Sequence, residues 1–126
     1  AHISCGLIRY PHKSDSWVQL LYCYGVSMIV ISGLFRLDDG VTEEVLDACR
    51  LVMEATRSEA GCIEYIFYPD PLDGAVLRVF EMWEDQDSLN SHFGTPHVDV
   101  FRKQMGAWTM SEREIKKFET DSFDSM

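Results

Sequence analysis

The stretch Met28–Leu37 constrains this chain more than any other, because it is apolar on both parities. In an extended strand Ile29, Ile31, Phe35 and Leu37 share one face, and Val30, Leu34 and Arg36 share the other. Such a strand needs cover on both sides, which a surface hairpin does not provide. The rest of the chain must therefore supply at least one packed layer.

The residues after Leu37 supply it. Asp38-Asp39-Gly40 reads as a turn, and Thr42 opens a helix with Glu43 and Glu44 in its first turn, where the helix dipole favours acids. The stripe Val41, Val45, Ala48/Cys49, Val52, Ala55/Thr56 gives that helix one apolar face, and Gly61 is read as its stop. A second strand over Cys62–Tyr68, a Pro/Asp/Gly loop over residues 69–74 and a third strand over Val76–Trp83 come next. Asp85 is a candidate N-cap for a short helix that turns Leu89 and Phe93 inward. Gly94 breaks this helix, and Thr95-Pro96 restarts it with Val98, Phe101, Met105 and Trp108 at helical spacing. Arg113–Ser122 reads as a last strand. The order is β-α-β-β-α-β: an α+β fold of the ferredoxin-like, split-βαβ kind with antiparallel pairings. Two helices cover one sheet face, so a second copy of the chain is expected over the other, closing a dimeric α+β barrel.

Composition narrows the function. The 126 residues make one domain, and 21 Asp plus Glu against 11 Lys plus Arg leave a formal charge of −10. Binding to nucleic acid or to anionic membranes needs clustered basic residues, so both are excluded as partners. Cys5, Cys23, Cys49 and Cys62 form no CxxC pair and no zinc-knuckle spacing. Reduced thiols, a cytoplasmic location and no metal are expected. Residues 1–27 hold only Arg9, Lys13 and Asp15 as formal charges and show no periodicity. They read as an extension (a leader, a mis-assigned start or vector-derived residues) ahead of a domain over 28–126. Trp17–Phe35 is a run of 19 residues without a charge. Gln19, Gly25, Ser27, Ser32 and Gly33 dilute it, so it is not read as a membrane span.

Two segments carry a resemblance. Ala55-Thr56-Arg57-Ser58-Glu59-Ala60-Gly61-Cys62-Ile63-Glu64-Tyr65, and Phe80-Glu81-Met82-Trp83 followed by Leu89, His92, Thr95 and His97, resemble the antibiotic biosynthesis monooxygenase family. The resemblance covers Met28 to about Phe118 and implies a homodimer. It also implies a cofactor-independent monooxygenase acting on a small aromatic quinol or phenol with O₂. Members of such a family deprotonate the substrate and let its anion reduce oxygen. Alternatives on the same scaffold are an isomerase or lyase, and a non-catalytic ligand-binding or stress protein.

That chemistry needs a base, a dry aromatic slot and hydrogen-bond donors. His92, at the inner edge of the short helix, is the candidate base, since histidine titrates near neutrality. Its bland alternative is a core-edge histidine bonded to a backbone carbonyl. His97 lies in the first turn of the next helix, as a substrate contact or merely as a shaper of the Thr95-Pro96 corner. Glu81 and Trp83 share a strand face and complete the candidate catalytic set, with Arg36 the expected partner of Glu81. Tyr65, Phe67 and Phe93 are the candidate aromatic walls, although ordinary packing accounts for them too. Ser32 and Gly33 stand where a haem-degrading branch carries Asn, which argues against haem oxygenolysis. Tyr68 and Val79 replace the His and Asn of an antibiotic-quinone branch. No Gly-rich phosphate cradle points to a flavin or nicotinamide.

Overall fold

The computed structural model describes residues 27–126. The extension over 1–27 falls outside this range, apart from Ser27. Seven elements are arranged in chain order: β1 (Met28–Leu37), α1 (Glu43–Thr56), β2 (Cys62–Asp70), β3 (Asp73–Trp83), α2 (Gln86–Phe93), α3 (Pro96–Met105) and β4 (Met110–Thr120). The strands form one antiparallel sheet in the order β2-β3-β1-β4, which is the ferredoxin-like arrangement expected.

The two faces of β1 separate as its parity requires. Ile29, Ile31, Phe35 and Leu37 are buried in the main core with Leu77, Val79 and Trp83 of β3 and Val45, Ala48, Cys49 and Val52 of α1. On the other face Met28, Ile63 and Met82 form a second, smaller cluster, with Val30, Phe80 and Phe123 packed against it. The chain's own C-terminal Phe123 thus covers part of the face that faces away from the helices. Ile66, Tyr68 and Phe118 remain exposed.

Several boundaries differ from the sequence reading, each for a local reason. Helix α1 ends at Thr56 rather than at Gly61, with Arg57 as its C-cap. Residues 57–61 are then held by backbone bonds from Arg57 N to Met53 O and from Glu59 N to Thr56 O. The β2–β3 hairpin is tighter than its Pro/Asp content implied, because Asp70 Oδ1 accepts from Leu72 N and Asp73 Oδ1 from Ala75 N, stitching the turn. Strand β4 starts three residues early, at Met110, opposite Leu37. Trp108 lies beyond α3, yet its ring still meets Phe101 edge-on at 5.8 Å.

Asp85 does cap α2, its side chain accepting from Ser88 N at 2.7 Å. Thr95 is the N-cap residue of α3 but makes no side-chain cap bond. Its hydroxyl donates instead to the carbonyl of His92 at 2.8 Å, which fixes the end of α2. No helix among the described residues is long and apolar enough to cross a membrane, and the described part of the uncharged run is strand β1.

Candidate functional site

A cleft of about 430 Å³ opens between the helices and the sheet. Its walls include Phe35, Tyr65, Glu81, His92, Phe93 and Arg102. Four of the residues singled out from sequence therefore meet there: Glu81, His92, Tyr65 and Phe93. Trp83, Phe67 and His97 stand behind the lining. Trp83 is fully buried, with its ring 4.7 Å from that of His92 and 6.3 Å from Tyr65. Phe67 packs on Phe101 at 5.1 Å and on Phe35 at 6.4 Å. Phe93 is 45% exposed, an aromatic lip rather than a core side chain.

His92 is 3% exposed and its Nδ1 lies 2.7 Å from Oε2 of Glu59. The partner is a carboxylate, not the backbone carbonyl of the bland reading. A carboxylate at Nδ1 holds the ring proton there and leaves Nε2 as the acceptor nitrogen. Burial lowers the His92 pKa below the ordinary value, and the neighbouring Glu59 opposes that shift without cancelling it. The ring is therefore neutral at pH 7. Nε2 of His97 reaches the same Glu59 oxygen at 2.8 Å, so His97 does more than shape a corner.

Glu59 stands within the first of the two family-like segments, yet no sequence pattern assigns it a role. It lies in the α1–β2 loop, where no periodicity marks a residue as inward-facing. Its reach to α2 depends on Gly61, which has φ +85° and on which a Cβ would collide with Ser88 of α2. A glycine at that point lets loop and helix touch.

Glu81 requires a correction. Arg36 is not its partner: Arg36 lies on the opposite sheet face, bonded to Asp73 at 2.9 Å and to Glu112 at 3.2 Å. The partner is two residues away on the same strand face, where Trp83 Nε1 donates to Glu81 Oε1 at 2.9 Å. One neutral donor does not offset burial, so the Glu81 carboxyl is pushed up to about 7. Tyr65 is also raised, first by burial and then by Glu81, and it keeps its phenol proton. The cleft thus brings together a neutral imidazole, a carboxyl that titrates near neutrality and a phenol donor, ringed by aromatic side chains. Glu59, His92 and His97 also have their ligand atoms within 4.8 Å of one another, a donor set that a divalent metal ion accepts.

A ferredoxin-like sheet with an aromatic cleft under its helices defines the class. The chain belongs to the antibiotic biosynthesis monooxygenase family, whose model matches residues 28–104. It is 32% identical over 88 residues to "Uncharacterized protein sll1783" of Synechocystis, covering 70% of this chain and 60% of that protein. Over 63 residues it is 36% identical to "Putative monooxygenase Rv0793" of Mycobacterium tuberculosis, covering 47% of this chain and 61% of that protein. The chain thus spans about three fifths of the length of both relatives. A conserved protein from Methanosarcina mazei shares the fold with a TM-score of 0.68 at 24% identity, covering 77% of this chain and 96% of that one.

Proposed function

We propose that the protein is a monooxygenase that oxidises a small aromatic quinol or phenol with O₂, the substrate supplying the electrons. The observation that carries this reading is His92, neutral, lining the aromatic cleft and held by Glu59 through Nδ1. Nε2 is then the nitrogen left to take a hydroxyl proton from a ring stacked in the cleft. The resulting quinolate passes an electron to O₂, and the ring carbon beside the oxyanion bonds to the superoxide formed. The proton on His92 returns to the peroxide. Loss of the C–H proton from the same carbon then breaks the O–O bond.

One oxygen atom stays as a new carbonyl and the other leaves as water. A quinol gives up four electrons and becomes a hydroxyquinone, so the balance closes without an outside reductant. Tyr65 and the protonated form of Glu81 are the donors available to the developing oxyanion and to the departing oxygen. Buried aromatic rings keep bulk water from quenching the anion.

The same proposal includes a homodimer. Ile66, Tyr68 and Phe118 are exposed on the sheet face away from the helices, beside the cluster around Met82. A second sheet stacked there, related by a two-fold axis, would bury them.

Oxygen uptake with a panel of quinols, after dialysis against a chelator, tests the reading. Uptake above the uncatalysed rate that survives chelation supports it. Turnover without oxygen consumption would point to an isomerase or lyase, and binding without turnover to a ligand carrier.

A further inference from the structure

The charged residues of the cleft define its substrate more narrowly. Resting on the monooxygenase reading, we propose that the cleft selects aromatic substrates carrying an acidic group, held by Arg113 with Arg102 as a second positive charge.

The chain carries a net charge of −10, and most of its described arginines are occupied. Arg36, Arg50 and Arg78 are each tied to carboxylates, and Arg57 donates to the carbonyl of Tyr65. Arg102 and Arg113 differ: both line the cleft, and neither has an ion pair among the described residues. Each is held against the wall by a ring. The Arg102 guanidinium lies 5.6 Å from the centroid of Phe93, and that of Arg113 lies 5.7 Å from Phe35. Both rings belong to the cleft lining themselves. One N–H of Arg102 donates to the carbonyl of Phe93, and its other N–H groups stay available. A guanidinium stacked on a ring and lacking a carboxylate is prepared for an oxyanion, to which it donates paired hydrogen bonds.

Spacing along the sheet sets where the acid group sits. Arg113 is opposite Phe35 on β1, whereas Glu81 is opposite Ile31. Four residues of strand offset these positions by roughly 13 Å along the sheet. Strands β3 and β4 flank β1 with about 10 Å between them, so the two backbones lie roughly 16 Å apart, a gap that the long Arg113 side chain shortens. A fused bicyclic acid spans much of that length, with its reacting hydroxyl near His92 and its carboxylate toward Arg113. Arg102 sits at the His92 end, close enough for its charge to lower the imidazole's pKa.

Binding of 2-naphthoate and of its neutral isostere 2-naphthamide, followed by calorimetry, tests the proposal without turnover. The expected result is a preference for naphthoate of about tenfold or more, weakened by salt. In Arg113→Gln it falls most of the way, and in Arg102→Gln/Arg113→Gln it disappears, with circular dichroism confirming the fold. Equal affinities in the wild type, a preference that survives in the double variant, or binding of neither ligand would overturn it. Oxygen uptake with a naphthoquinol and with its carboxylated counterpart separates the two claims: uptake without acid preference sinks only the acid site, and acid binding without uptake of either quinol sinks only the monooxygenase reading.

Discussion

Nδ1 of His92 and Oε2 of Glu59 meet at 2.7 Å across 33 residues of sequence, joining the α1–β2 loop to the end of α2. Glu59 fixes the imidazole tautomer, and its charge favours the protonated ring. Glu59→Gln removes that charge, so the His92 pKa falls further below the ordinary histidine value. The acid limb of the kcat/KM profile for any active quinol should then move to lower pH. Turnover should fall by about tenfold or more as the ring loses its anchor. An unchanged pH profile in a folded Glu59→Gln protein would separate Glu59 from the chemistry.

His92→Ala should reduce kcat by ~10²-fold or more, the usual contribution of a general base. His97→Ala should cost less, because His97 stands behind the cleft lining, bonded to Glu59 and beside the His92 ring at 6.1 Å. Steady-state oxygen consumption of the two variants side by side checks the ranking.

Glu81 predicts an unusual dependence of stability on pH. Its folded pKa, about 7, lies above the 4.5 of an ordinary glutamate, so between those values the folded state binds more protons than the unfolded one. Its contribution is therefore complete below about pH 4.5 and is lost as pH rises through 7. The loss amounts to on the order of 3 kcal/mol. Glu81→Gln keeps an oxygen for the Trp83 indole and removes the charge. Its melting temperature should exceed the wild type's at pH 8 by several degrees, with little gain at pH 5. Equal gains at both pH values would show that Glu81 does not titrate in this range.

Two positive-φ glycines separate conformational cost from crowding. Gly40 has φ +80° and room for a Cβ, with only the Gly74 carbonyl oxygen near, at 3.5 Å. Gly40→Ala should cost about 1 kcal/mol. Gly61→Ala adds a collision with Ser88 and should cost roughly 2 kcal/mol more. It should also slow turnover by drawing Glu59 away from α2. Urea unfolding of both variants gives the comparison.

Much of this was legible in the sequence because it followed from parity and spacing. The alternating residues of β1 separated the two faces, and the Thr42, Asp85 and Pro96 signals placed three helix starts. Strand and helix spacing turns His92, Glu81 and Tyr65 inward. Glu59 was missed because a loop carboxylate carries no period, and its partner lies 33 residues away. The Arg36–Glu81 pairing was avoidable: Glu81 stands opposite Ile31, and five residues separate Ile31 from Arg36, which puts them on opposite faces. Hydrophobic pattern alone did not show that Phe123 folds back over Met28 and Met82, since one aromatic in a polar tail has no periodic context.

The exposed side of the sheet carries the dimer prediction. Light scattering at micromolar concentration should give twice the chain mass of 14.5 kDa. Val30→Asp puts a charge beside Phe80 and Met82 and should cost the protein its folded dimer. A well-folded, monodisperse wild-type monomer would contradict this.

The fate of oxygen during quinol turnover decides whether His92 drives a monooxygenation. Oxygen consumption, product mass and peroxide are measured together for the wild type and for His92→Ala. The mechanism predicts one O₂ consumed per quinol, a hydroxyquinone one oxygen atom richer than the plain quinone, and no accumulated peroxide. It also predicts a rate that collapses in the variant. Plain quinone with an equivalent of hydrogen peroxide, or equal rates in the two proteins, would contradict it.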